Sequence, residues 1–153
     1  MWFEDIPLNN RIVIGTYTFT EEAIVDFARK YDPQPFHIDP SAAAKSPYGG
    51  IIASGWQTAA VWMKLMVAYL HRNISEERAQ AGFVSPGFRE MRWFKPVRPG
   101  QTLTYYTENI AKLDWKSRPE LGLLEARNEA RDDKGELMMS FIGRVLIPKR
   151  SKP

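Results

Sequence analysis

The chain carries two histidines in 153 residues, and one of them, His37, follows Asp32 across four residues in the run D-P-Q-P-F-H-I-D-P at 32–40. A carboxylate and an imidazole that hold one water between them can take a proton from it and deliver one nearby. Work of that kind is worth about 10²–10⁴-fold in rate. The same spacing arises by accident, so two structural readings stand beside the chemical one. Asp32 would merely cap or break the chain after a helix, and His37 would be a core or capping histidine satisfied by a backbone carbonyl. Pro33 and Pro35 favour chemistry, because proline fixes the backbone between the two groups and a water-activating pair needs its geometry set in advance. Asp39 precedes Pro40, the context of a helix N-cap with proline at the first helical position. His71 lies where a long helix ends, and a cation there suits the negative end of the helix dipole. With no cysteine in the chain, a disulfide, a thiol nucleophile and a cysteine-based zinc site are excluded. Two distant histidines make no metal set, and no phosphate loop is present.

The elements that must position this pair can be read on either side of it. Residues 11–19, RIVIGTYTF, are rich in β-branched and aromatic types and predict a strand. Thr20 then caps a helix whose first turn holds Glu21 and Glu22 and whose buried face is Ile24, Phe27 and Ala28. That helix must end by Asp32, because Pro33 disfavours helical geometry at the residue before it. Residues 32–50 hold four prolines and two glycines, so they predict a fixed overhang with a short helical turn inside. From Gly55 to about Arg72 runs the most apolar helix of the chain, apolar on nearly every face, and such a helix is expected to be buried all round. Residues 73–87 read as an irregular excursion. The ranges 88–95, 102–113, 121–131 and 136–147 read as four strands, the last two joined at Asp133-Lys134-Gly135 by a tight turn. One antiparallel sheet wrapped around the apolar helix satisfies this order. The expectation is therefore a single α+β domain over 1–153.

Bulk composition narrows the partners. The net charge of +3 comes from 21 basic residues mixed among 18 acidic ones, which is too little to argue for nucleic acid. The exception is the tail Lys149-Arg150-Ser151-Lys152, which reads as a solvated, frayed terminus. Residues 51–70 approach bilayer length, but Lys64 sits near the middle and would cost about 2.5–3.5 kcal/mol to insert. A buried core helix is the better reading. The N-terminus, MWFEDIPLNN, has neither the basic start nor the apolar stretch of a signal peptide. With the lack of cysteine this points to the cytoplasm.

The segment D-P-Q-P-F-H-I-D-P at 32–40, followed by Y-G-G-I-I-A-S-G-W-Q-T at 48–58 and K-P-V-R-P-G-Q-T-L at 95–103, resembles the MaoC-like dehydratases and (R)-specific enoyl-CoA hydratases. The resemblance spans about residues 5–148. It implies a hot-dog fold, an antiparallel sheet around a long central helix. It also implies Asp32 and His37 as the catalytic pair and an acyl-CoA thioester as substrate, with no separate cofactor. Four positions depart from the family's pattern. Gln34 stands for its asparagine, Tyr31 for its glycine, Ser54 for the histidine before Gly55, and Met63 for a serine on the central helix.

Hydration of a 2-enoyl thioester needs water activated at the β-carbon, a proton at the α-carbon and a stabilised enolate oxygen. Asp32 and His37 would supply the first two. For the third, backbone N–H groups at the start of the long helix would serve, about 10²–10³-fold each. Gly55 there would let the thioester approach closely. Ser54 joins Gly55 as a candidate for substrate contact at the thioester end of the site, although serine at a helix entry favours an N-cap for structural reasons alone. Gln34, Tyr48, Gly50 and Trp56 are further candidates for substrate contact; for Tyr48, Ile51, Ile52 and Trp56, ordinary core is an equal alternative to an acyl tunnel. Arg89, Arg92, Lys95 and Arg98 cluster around one strand and would either be solvated or meet the phosphates of coenzyme A. The competing activities are a thioesterase on the same fold and a non-catalytic acyl-binding subunit. The first normally draws a carboxylate from the central helix, and residues 55–72 contain none. An open sheet edge and the resemblance together imply a homodimer or an assembly of dimers.

Overall fold

The computed structural model describes residues 1–80 and 82–150. Five strands, β1 (Arg11–Thr18), β2 (Val84–Trp93), β3 (Thr102–Asp114), β4 (Leu121–Arg131) and β5 (Leu137–Pro148), form one sheet in the order β1-β3-β4-β5-β2. All four pairings are antiparallel. The β4–β5 connection is the expected tight turn. Asp132 Oδ1 accepts from the backbone N–H groups of Lys134 and Glu136, and Gly135 takes φ +80, a left-handed conformation that glycine adopts without strain.

The helices are α1 (Glu21–Tyr31), α2 (Pro35–Ile38), α3 (Pro40–Ala44), α4 (Gly55–Asn73) and α5 (Glu76–Gln80). Thr20 caps α1 through Ala23 N–H, and the helix buries Ile24 and Ala28. The overhang contains two short helices where the sequence suggested one. Asp39 separates them, and its side chain accepts from Ser41 and Ala42 N–H, the capping role its Pro40 neighbour announced. The inner face of the sheet and α4 enclose a core that includes Ile14, Phe19, Leu103, Tyr105, Met139 and Phe141.

Three expectations fail here. The stretch 73–87 is not irregular: it holds α5 and the first residues of β2. Ser75 accepts from Arg78 N–H as a capping residue does. Pro86 and Gly87 disguised the strand, yet β2 lies at the sheet edge, where a missing N–H is tolerated. Second, α4 is not buried all round. Gln57, Thr58 and Val61 are buried, but Trp56, Met63 and Val67 are 54%, 54% and 44% exposed. Five strands cover one side of the helix and leave an apolar stripe open. Third, the basic tail is not free at its start. Lys149 pairs with Asp114 and Arg150 with Asp5; residues 151 and 152 lie outside the described residues.

Tyr105, fully buried on β3, donates its hydroxyl to the Thr58 carbonyl on α4. This bond fixes the start of α4 over the sheet. Replacing Tyr105 with Phe leaves a buried carbonyl with one partner fewer and is expected to cost about 1–2 kcal/mol in a denaturation experiment. Tyr105→Ala adds a cavity and should cost about 3–5 kcal/mol.

Candidate functional site

Three chain segments meet where α1 ends. Asp32 is the C-cap of α1, in neither helical nor fully extended geometry, because Pro33 follows it. Two residues on, Gln34 is the N-cap of α2, with Pro35 at the first helical position. His37 lies within α2. Residues 51–54 run extended and buried past α2 and enter α4. They are clamped on both sides: Ile52 N–H donates to the Phe36 carbonyl and Ala53 N–H to the Val97 carbonyl.

The expected pair is brought together. His37 Nε2 lies 3.2 Å from Asp32 Oδ2, with His37 only 4% exposed. The other ring nitrogen, Nδ1, is 2.6 Å from the Ile52 carbonyl oxygen. A carbonyl can only accept, so Nδ1 carries a hydrogen. The bland reading of His37 is thus half right, since it does satisfy a backbone carbonyl. That bond also decides what the opposite nitrogen does. Nε2 is then the ring nitrogen turned to the Asp32 carboxylate.

Asp32 has further donors. Gln34 Nε2 donates to Oδ1 at 2.8 Å, and Ser54 Oγ donates to Oδ2 at 2.7 Å. Burial pushes the Asp32 carboxyl up, but the hydrogen bonds from Ser54 and Gln34, together with the charge and hydrogen bond of His37, outweigh burial. They hold it below the ordinary aspartate range.

Other expected residues are placed as follows. Ser54 does cap α4, accepting from Trp56 N–H, but its bond to Asp32 is a second function that the sequence did not reveal. Gly55 N–H, at the first helical position, is one of the donors a helix leaves without an intrahelical partner. Packing within the chain also asks for glycine at this position. A Cβ on Gly55 would lie 2.5 Å from the Trp93 ring, and Trp93 Nε1 donates to the Gly55 carbonyl at 2.9 Å. In this protomer the indole of Trp93, not open space for a thioester, fills the position. Trp56 stacks edge-on against Trp93 at 5.4 Å and stays half exposed. The Tyr48 ring is 5.2 Å from Phe36, which in turn packs edge-on against His37. Gly50 sits beside the Arg98 guanidinium. Trp93 and the Ile52 carbonyl went unnamed as site groups. Backbone oxygens carry no sequence signal, and Trp93 looked like any strand aromatic.

The basic cluster is not one patch. Arg89 is bound to Glu90 and Glu125, and Lys95 to Glu136. Arg92 and Arg98 have no acidic partner among the described residues. A concavity of about 310 Å3 between α1 and α4, lined by Lys30, Tyr31, Gln57 and Lys64 among others, includes neither Asp32 nor His37. The Asp32–His37 pair lies outside it. No helix among the described residues is long and apolar enough to cross a membrane.

A pH consequence follows from the Asp32 shift. Its folded pKa is depressed, so its ionisation stabilises the fold fully above the unfolded value of about 3.9. The contribution is lost as pH falls through the lower folded value. As pH falls below about 4, denaturation midpoints of the wild type should therefore fall more steeply than those of Asp32→Asn. Parallel curves would show that the carboxyl gains nothing from its donors.

Comparison with known proteins places the chain in a family. The family model described as MaoC like domain matches residues 9–130. A MaoC-like dehydratase from Rhodospirillum rubrum is 33% identical, superposes with a TM-score of 0.83, and is covered over 99% of both chains. A structure described as a monoamine oxidase regulatory protein from Archaeoglobus is 25% identical with a TM-score of 0.88, covering 99% of this chain and 96% of that one. The uncharacterized protein YdeM of Bacillus subtilis is 35% identical over 107 residues, 69% of each chain.

Proposed function

Because this chain belongs to the MaoC-like domain family, with the hot-dog fold, we propose that it is a hydro-lyase that adds water to, or removes it from, a 2-enoyl thioester of coenzyme A. The observation that carries the reading is the buried 3.2 Å contact of His37 Nε2 with Asp32 Oδ2. Hydration would run as follows. The Asp32 carboxylate takes a proton from a water held between the pair, and the hydroxide oxygen bonds to the β-carbon. The alkene electrons move toward the thioester oxygen as an enolate. His37 delivers its Nε2 proton to the α-carbon as the enolate collapses. The next water to enter between the groups carries the proton from Asp32 back to His37 Nε2, and the pair is restored. The enolate oxygen is assigned to Gly55 N–H, at the positive end of α4. Arg92 and Arg98, without acidic partners among the described residues, are the members of the basic cluster left for the phosphates of coenzyme A.

The test is to follow crotonyl-CoA by alkene absorbance and by release of free thiol in the same sample. Loss of absorbance without thiol supports the hydro-lyase. Thiol release selects a thioesterase, and neither signal leaves a binding subunit. With an active substrate in hand, Asp32→Asn and His37→Ala should each lower kcat by at least about 10²-fold. Both variants should remain folded at neutral pH, with the Asp32→Asn melting temperature lowered by no more than the ionisation of Asp32 contributes. The double variant should be scarcely worse than either single one, because groups that act as a unit are not additive. Strictly multiplicative losses would mean separate roles.

The same reading includes a second copy of the chain. The open stripe of α4 (Trp56, Met63, Val67) and the exposed Phe88 and Trp93 of β2 leave apolar surface beside an unpaired sheet edge, a combination that proteins normally cover. Light scattering at micromolar concentration should give the mass of a dimer or a multiple of it. A monomer would contradict the assignment.

A further inference from the structure

Ser54 does more than its position requires. Thr20 and Asp39, the side-chain caps of α1 and α3, accept only from backbone N–H groups. Ser54 accepts from Trp56 N–H at 3.2 Å and, with the same hydroxyl, donates to Asp32 Oδ2 at 2.7 Å. It is fully buried, so no water competes for that hydroxyl. The three groups form a chain from the first turn of a 19-residue helix, through one oxygen, to a carboxylate 22 residues earlier in sequence. Aligned hydrogen bonds polarise one another, and the N-terminus of a helix acts as a partial positive charge.

We propose that Ser54 is a positioning residue for Asp32: its hydroxyl couples the positive end of α4 to Oδ2, fixes the rotation of the carboxylate and keeps it in the proton-accepting form. The coupling stands on geometry alone; its consequence for turnover rests on the reaction proposed above. Occupancy of the carboxylate gives it a further detail. An ionised carboxylate offers about four acceptor sites. Ser54 and His37 occupy those of Oδ2, and Gln34 occupies one on Oδ1. The remaining site is on Oδ1, so the proton taken from water goes to Oδ1. The depressed titration of Asp32 accords with this, with Ser54 the strongest of the favourable contributors. Charged or titratable groups on the surrounding elements are Arg29, Lys30 and Tyr31 at the end of α1, His37 on α2 and Lys64 on α4; of these, His37 is the one in contact.

The test separates coupling from capping. Glycine caps a helix nearly as well as serine, whereas alanine does not. A role in capping alone therefore leaves Ser54→Gly close to wild type and damages only Ser54→Ala. The coupling predicts that both variants behave alike at Asp32. Titration of the Asp32 carboxyl carbon by NMR should show a wild-type midpoint below that of ordinary aspartate. In both variants it should rise by about one pH unit, the size expected for loss of one hydrogen bond to a charged group. The acid limb of kcat/KM should move with it. A midpoint that stays put in folded Ser54→Gly, or a wild-type midpoint at or above the ordinary value, overturns the proposal. A wild type that leaves every enoyl-CoA untouched while the midpoint still moves upholds the coupling and removes the hydratase reading. Hydration with an immovable midpoint removes only the coupling.

Discussion

Everything at this site hangs on one carboxylate. Asp32 meets donors from three places: Gln34 at the start of α2, His37 within α2, and Ser54 at the start of α4. Each donor is itself anchored. Gln34 and His37 ride on a four-residue helix begun by Pro35, and Ser54 ends a buried strand-like segment pinned to Phe36 and Val97. The Ile52 carbonyl holds the far side of the His37 ring. The overhang and the long helix therefore cannot shift independently without breaking a bond to Asp32. The reaction proposed for this pair would need its geometry set in advance in this way.

The departures from the family pattern acquire a physical meaning in this light. Gln34 is one methylene longer than asparagine and reaches Oδ1 of Asp32 at 2.8 Å. Ser54, which stands where the resemblance implies histidine, supplies a hydroxyl at Oδ2. Neither change removes a donor from the carboxylate. Tyr31 is 71% exposed and has no polar contact with the pair. Met63 is more than half exposed on the open stripe of α4, so within one protomer it touches nothing that explains it.

Much of this was legible in the sequence. Proline placed the end of α1 and the start of α2, and the spacing of Asp32 and His37 put them within reach of each other. Alternating and β-branched runs located β3, β4 and β5 to within a residue or two. Other features were hidden for identifiable reasons. The Ser54 bond to Asp32 joins residues 22 apart, and no local pattern encodes a contact at that range. Ser54 also had a sufficient local explanation as a cap, and a sufficient explanation conceals a second role. The packing of the Trp93 indole on Gly55, 38 residues away, is hidden for the same reason. Overall apolarity marked α4 as a core helix but did not tell one covered side from two. Its open stripe is the surface that the proposed second copy would cover.

The central claim is that Asp32 and His37 address the β-carbon of an enoyl thioester while Gly55 N–H addresses its oxygen. The most direct measurement is a crystal structure of the protein with a saturated, non-reactive acyl-CoA. The account predicts the thioester oxygen within about 3 Å of Gly55 N, reached by a shift of the Trp93 ring, and the β-carbon facing a water bound to Asp32 and His37. A thioester carbonyl turned toward Asp32 and away from Gly55 would contradict it, because the carboxylate would then be aimed at acyl transfer and not at an alkene.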